Sequence, residues 1–451
     1  MMPNVTGRAL HLWEEIETMA VAIPNRSTTV PSGAAASYTG PLAVVTTLFF
    51  MWGFLTCLND ILVPHLKSIF DLNYTRVMLI QFAFFGAYFL FSIPSAKIID
   101  WIGYQRSMVV GLLTMGVGAF LFVPAASVPS YPLFLGALIV LAAGITCLQV
   151  AANPYVTILG KPETASSRLN LTQAFNSLGT FLAPFFGAVF ILSAAPKAID
   201  DIRAMAPDAL QAYRLHEAAS VKTPYVGLGI ALVVLAGAIG SFKLPKIPHA
   251  QHQLGEKVND SIWRHANLIF GAIGIFVYVG AEVSIGSFLV NYFSQPEIGG
   301  LTEKVAASFV AFYWGGAMVG RFIGSALLQK MNTGKLLGIC AICAAGLVTV
   351  SMLTTGHFAM YSIILVGFFN SIMFPSIFTL GVAELGPLTG DGSGIMIMAI
   401  VGGAIIPVAQ GAIADRIGIH HAFFLPVICY LYILFFALSG SKPNSQRDAK
   451  A

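Results

Sequence analysis

The chain has 451 residues, 57% hydrophobic and only 10% charged, with a mean hydropathy of +0.79. A soluble globular domain carries about 25% charged residues, so this chain cannot cover its own surface in water and most of that surface must face lipid. Its net charge of +4 is spread out and forms no basic stripe, which argues against nucleic acid as a partner.

Residues 1–40 are polar and include PNRSTTVPSGAAASYTG, without the charged start, short apolar core and small-residue cleavage site of a signal peptide. They are expected to form a cytoplasmic tail, in which HLWEEIETMAVAI could make a short surface helix. A membrane-crossing helix needs about 20 apolar residues. Twelve candidate spans follow: 42–66, 76–98, 107–125, 131–158, 169–193, 223–242, 265–293, 305–328, 335–354, 358–383, 393–413 and 420–438.

Span 1 carries Asn59, Asp60 and His65 in FFMWGFLTCLNDILVPHLK. After span 2, SAKIIDWIGYQR places Asp100 and Arg106 in a short loop. Span 4 carries Gln149 and Asn153, four apart and so on one helix face, with Pro154 removing a backbone hydrogen bond just beyond them. Span 5 carries Asn170, Gln173 and Asn176 at spacings of three, which keeps them near one stripe. Residues 194–222 form a polar, helical loop, and 243–264 form a basic connector that divides the chain into six spans plus six. Span 7 carries Glu282, one turn after Tyr278, and span 10 carries Asn370. Gln410 lies in span 11, and GAIADRIG at its end holds Asp415 and Arg416.

Lys and Arg set the orientation. With the N-terminus inside, the inner segments hold 16 of the 24 basic residues, so both termini are expected in the cytoplasm. The implied organisation is a tail (1–40), a six-helix bundle (41–242), a connector (243–264), a second six-helix bundle (265–438) and a C-terminal tail (439–451). The halves resemble each other. GAYFLFSIPSAKIID from Gly86 parallels GAMVGRFIGSALLQK from Gly316. PYVTILG from Pro154 parallels PSIFTLG from Pro375, with Gln149 and Asn370 each five residues earlier. Gly179 and Gly402 each precede a proline by five. Three matches in one order, at offsets of 221 to 230 residues, describe the internal repeat of an alternating-access transporter.

A polar group in hydrocarbon costs several kcal/mol unless it is paired or faces water, so the intramembrane polar residues form the functional shortlist. The list is rich in amides, whose paired donors and acceptors suit hydroxyls, and it has no mid-span cation to meet a phosphate or carboxylate. Arg321 is read as sitting near a cytoplasmic end. The same amides could instead staple helices together. Phe175, Tyr278 and Trp314 are among the aromatics available to stack on a sugar. The five cysteines, Cys57, Cys147, Cys340, Cys343 and Cys429, all lie in apolar runs, and an odd count without polar context argues against a disulfide framework. No metal-ligand cluster, nucleophile–base pair or phosphate loop is visible, so neither an enzyme nor a bound cofactor is expected.

LNDILVPHLK (58–67), LQVAANPYVTILG (148–160), RLNLTQAFNSLG (168–179) and YVGAEVSIGSF (278–288) resemble the fucose:proton symporter family of the major facilitator superfamily, within it the glucose/galactose transporter branch. The resemblance covers about residues 42–438. It implies the twelve-helix major facilitator fold of two pseudo-symmetric bundles in the bacterial inner membrane, importing a monosaccharide with a cation. It assigns coupling to Asp60, which matches the family's span 1 aspartate. The family's span 4 glutamate is Gln149 here, and Glu282 stands where the fucose branch has a glutamine. A carboxylate has thus moved from span 4 to span 7, and sodium is an alternative to the proton. The resemblance also implies gating by Asp100, Arg106, Asp415 and Arg416. The remaining list, Asn59, Gln149, Asn153, Gln173, Asn176 and Asn370, supplies the sugar ligands. The expected substrate is a neutral hexose, glucose or galactose, carried by a monomer. A proton-driven exporter of drugs or metabolites on the same fold is the alternative.

Overall fold

A computed structural model describes residues 38–70, 74–128, 130–190, 205–220, 222–245 and 260–443. For 58–70, 74–79, 81, 184, 187–190, 214 and 217–220 it describes the backbone path alone. All regular structure among the described residues is helical, as a lipid-facing chain requires, because a helix satisfies its backbone polar groups internally.

Ten described helices are long and apolar enough to cross a membrane by length and composition. One of them, Phe82–Ser127, has 46 residues and holds both spans 2 and 3. It belongs to the run Tyr74–Ser127, which turns at Gly103 with φ 79° and ψ 167°. This is a backbone conformation that a Cβ disfavours, so the loop after Asp100 needs its glycine. Span 5, Ala165–Phe190, is not among the ten. It is the polar span that carries Asn170, Gln173 and Asn176. Counting it once and Phe82–Ser127 twice gives twelve passes.

Span 1 is Thr39–Phe70, span 4 Tyr131–Ile158, span 6 Lys222–Ser241, span 7 Ala266–Phe293, span 8 Glu303–Leu327 and span 9 Thr333–Leu353. Span 10 is broken, Gly356–Asn370 then Met373–Gly381. Span 11 runs Thr389–Met398, a 3-10 turn and Gly402–Ile417, with Pro407 inside the last segment. Span 12 is Ile419–Ala422 and Phe424–Phe435, ending in a π turn at Phe436–Gly440. The polar loop before span 6 contains the helix Pro207–Ser220. The N-terminal tail to residue 37, including its expected helix, lies outside the described residues, as do 191–204, 246–259 and 444–451.

Small residues bring the helices together. A Cβ at Gly53 would fall 2.1 Å from the Asn176 carbonyl oxygen, and one at Gly179 would fall 2.3 Å from that of Phe50. Spans 1 and 5 therefore cross nearly backbone to backbone, a packing that compensates for the missing hydrophobic drive between helices in lipid.

Among the described residues, bonds between the first six spans and the last six gather at one end. Lys97 Nζ lies 2.8 Å from Asp391 Oδ1 and 3.6 Å from Asp100 Oδ2. Ser393 donates to the Val150 carbonyl at 2.8 Å. The hydroxyls of Ser166 and Thr379 are 2.6 Å apart, and Ser167 donates to the Ser325 carbonyl at 2.7 Å. Asn170 donates to the Arg321 carbonyl at 2.6 Å. Span 5 meets span 8 there, and span 11 meets spans 2 and 4. In the orientation expected from the charge pattern, this is the inner end.

Candidate functional site

Span 4 presents Gln149 and Asn153 one turn apart, both buried. Gln149 Nε2 donates to the Tyr88 hydroxyl of span 2 at 2.7 Å, while its Oε1 has no partner among the described residues. Asn153 is 0% exposed, and neither its Nδ2 nor its Oδ1 has such a partner. In span 5, Gln173 is buried with Nε2 unpaired. The half-buried Asn176 donates to the Phe49 carbonyl of span 1 at 2.9 Å. Asn170 belongs to the closed end, as its bond to Arg321 shows.

The second half carries a denser network. The Tyr278 hydroxyl donates to Glu282 Oε1 at 2.8 Å and is also 3.0 Å from the Asn370 carbonyl. Asn370 Nδ2 donates to the Tyr313 hydroxyl of span 8 at 2.9 Å, and that hydroxyl reaches the Glu282 carbonyl at 3.4 Å. Asn370 is fully buried and its Oδ1 has no partner among the described residues. Arg321 of span 8 reaches across to the Gln173 carbonyl of span 5 at 3.4 Å. Trp314 lies against Gly286 of span 7 and stays 42% exposed, and Phe175 of span 5 meets Phe322 of span 8 edge to face with ring centroids 6.0 Å apart.

The expected residues thus fall into separate groups. Glu282 and Asn370 share one network with Tyr278 and Tyr313. Gln149 pairs with Tyr88, and Gln173 and Asn176 share span 5. Asn59 and Asp60 lie where side chains are outside the described residues. Asp100 stands in the Lys97–Asp391 cluster, whereas Arg106 is exposed. Asp415 and Arg416 are exposed at the end of span 11 opposite Asp391. Sequence reading did not single out Tyr88, Tyr313, Asp391 or the inward reach of Arg321. A charge in GPLTGDGSG between two spans was the available signal for Asp391. No group of three or more potential metal ligands occurs among the described residues.

A family model, Major Facilitator Superfamily, matches residues 42–400. The chain is 55% identical over 425 residues to the glucose/galactose transporter of Brucella abortus, covering 94% of this chain and 100% of that one. It is 36% identical to the L-fucose-proton symporter of Escherichia coli, covering 90% of this chain and 94% of the relative. A crystal structure of the transporter FucP in the outward conformation superposes with a TM-score of 0.83 at 34% identity, over 90% of this chain and 99% of that chain.

Proposed function

The chain belongs to the major facilitator superfamily, and from that premise we propose that it imports a neutral hexose, glucose or galactose, with a proton across the bacterial inner membrane, both termini in the cytoplasm. One observation carries this reading: four buried amide side chains, Gln149, Asn153, Gln173 and Asn370, hold five polar atoms with no partner among the described residues. An unpaired buried polar atom costs about 1–3 kcal/mol, and folded proteins tolerate few of them. A ligand offering many hydroxyls, each donor and acceptor, removes that cost in the bound state. Phosphate and carboxylate ligands need a cation free to meet them, and the cation beside this set, Arg321, is engaged by Gln173, Ser177 and Ser371; a purely apolar drug leaves the amides unsatisfied.

The relatives' names support the substrate class and the proton: a glucose/galactose transporter and an L-fucose-proton symporter. The seal at the inner end supports a resting state open to the outside, the conformation named for the FucP crystal structure. Sugar enters from that side, binds between the two halves, and the seal then parts. Asp60 and Glu282 supply the titratable groups, with Lys97, Asp100 and Asp391 in the gate.

The test is uptake by proteoliposomes. Radiolabelled glucose or galactose should accumulate above the outside concentration when an inward pH gradient is imposed without sodium. Accumulation driven only by sodium would move the coupling ion to the alternative, and no accumulation of either sugar under either gradient would overturn the reading.

A further inference from the structure

Among the described residues, Arg321 is the one cation that reaches from the second half into the first beside the amide set, and neither the mechanism above nor the gate makes use of it. Its neighbour Gly320 lies so close to span 10 that a Cβ there would fall 2.6 Å from both the Phe368 carbonyl and the Ser371 hydroxyl. A Cβ at Gly324, one turn on, would fall 2.2 Å from Ile372 and 3.1 Å from Asn170 Nδ2. The backbone of span 8 is thus held in the seam itself, where a long side chain can touch both span 5 and span 10.

Arg321 touches both. Its Nε donates to the Ser371 carbonyl at 3.4 Å, at the break in span 10 and directly after Asn370. Its Nη1 donates to the Gln173 carbonyl at 3.4 Å and to the Ser177 hydroxyl, one helical turn further along span 5. Its own carbonyl accepts from Asn170 at 2.6 Å. The guanidinium therefore grips the backbone of one proposed sugar ligand, Gln173, and the backbone next to another, Asn370. These two ligands lie in different halves. Arginine suits the task because its planar fork presents several donors in fixed directions, where lysine offers a single point of charge.

We propose that Arg321 is a positioning residue that ties the two half-sites together and keeps the inner end shut until sugar has bound. Sugar engaging Gln173 and Asn370 acts on the two backbone segments that Arg321 holds, and release of that grip frees span 5 from span 8. The role of sugar rests on the proposed hexose symport, but the closure itself does not. The closing experiment separates the two.

In a chain with the five native cysteines replaced, Gly390→Cys places a thiol at the sealed end, where a Cβ meets Asp100 Oδ1 at an ordinary 3.6 Å. The rate of its alkylation by N-ethylmaleimide in detergent reports opening of that end. Without sugar, Arg321→Gln should raise the rate about tenfold, since charged hydrogen bonds are lost at three partners, Ser371, Gln173 and Ser177. Ser177→Ala should give an intermediate rate, and Arg321→Lys should recover part of the closure. An Arg321→Gln rate within twofold of the parent, in a monodisperse protein, overturns the proposal. If that variant does not purify as a single species, Ser177→Ala decides: a parental rate overturns, a faster one supports. Glucose should speed labelling of the parent and leave Arg321→Gln unchanged. If neither hexose affects the parent while Arg321→Gln still opens the seal, the closure stands and the hexose assignment falls.

Discussion

Asn153 is where two accounts of a buried amide separate. As a staple between helices it would stabilise the fold through bonds made in the resting protein. As a sugar ligand it costs stability until sugar arrives. Its two unpaired atoms favour the second account. Asn153→Leu, which replaces the amide by an apolar group of similar size, should therefore abolish hexose binding and leave the thermal midpoint unchanged or raised, because an unsatisfied polar pair leaves the core. A lowered midpoint with unchanged binding would make Asn153 a staple. Asn176 is predicted to behave differently, since its Nδ2 is already bonded to the Phe49 carbonyl. Asn176→Ala should weaken sugar binding about tenfold and also lower the midpoint, as a carbonyl of span 1 loses its donor. Calorimetric binding beside thermal unfolding reads both outcomes. The amides were legible in the sequence because polarity at membrane depth is costly and rare. Tyr88 and Tyr313 were not, since nothing local separates them from the other tyrosines of a chain that has 14. Contacts across spans alone give them their role.

Helix by helix, apolar run length was enough to place the spans, because lipid thickness dictates it. Expected and observed ends agree within a turn for spans 4, 7 and 9. The interior breaks were less legible. Hydropathy over 358–383 is continuous, yet span 10 breaks at Ser371–Ile372, a matter of backbone geometry that hydropathy does not report. The internal repeat carries over in chemistry more than in register. Gln149 donates to Tyr88 of span 2, and its counterpart Asn370 donates to Tyr313 of span 8, but the two tyrosines are not at matching positions of the repeat. Packing at the span 1–span 5 crossing gives the prediction at this scale. Gly53→Val must push Asn176 away, since even a Cβ has no room there. Overpacking a tight site costs about 1–3 kcal/mol, so the midpoint should fall and sugar affinity with it. Gly227→Ala is the control, with nothing within 4 Å of the added carbon, and should leave both unchanged. Equal behaviour of the two variants would mean that this crossing does not hold the span 5 amides.

Among the described residues the bonds between halves gather at one end, and in the proposed resting state the titratable groups of the site communicate with the other side. The Lys97–Asp391 pair contributes little energy to this seal, being partly exposed, and such pairs contribute about 0–1 kcal/mol. The buried hydroxyl and amide contacts of spans 5, 8 and 11 carry more. A seal of modest total strength can be opened by sugar and proton binding together, which coupled transport requires, since a ligand shifts an equilibrium only by its differential affinity. The placement of the carboxylates makes the coupling testable by exchange. The fucose:proton symporter resemblance implies an acid at the position of Gln149 and an amide at the position of Glu282, the reverse of this chain. Both positions feed hydroxyl networks, Gln149 through Tyr88 and Glu282 through Tyr278, so each can hold a carboxyl group beside a tyrosine. Glu282→Gln alone should then lose uphill uptake in a pH gradient while still exchanging labelled sugar across the membrane, because the sugar ligands remain. Asp60→Asn should do the same. The double variant Gln149→Glu, Glu282→Gln should regain part of the uphill uptake, with the acid back in span 4. Full uphill uptake by Glu282→Gln alone would remove span 7 from coupling and leave Asp60 as the only candidate proton carrier. An inactive double variant beside an exchanging single one would show that the Tyr88 side of the site cannot carry the proton.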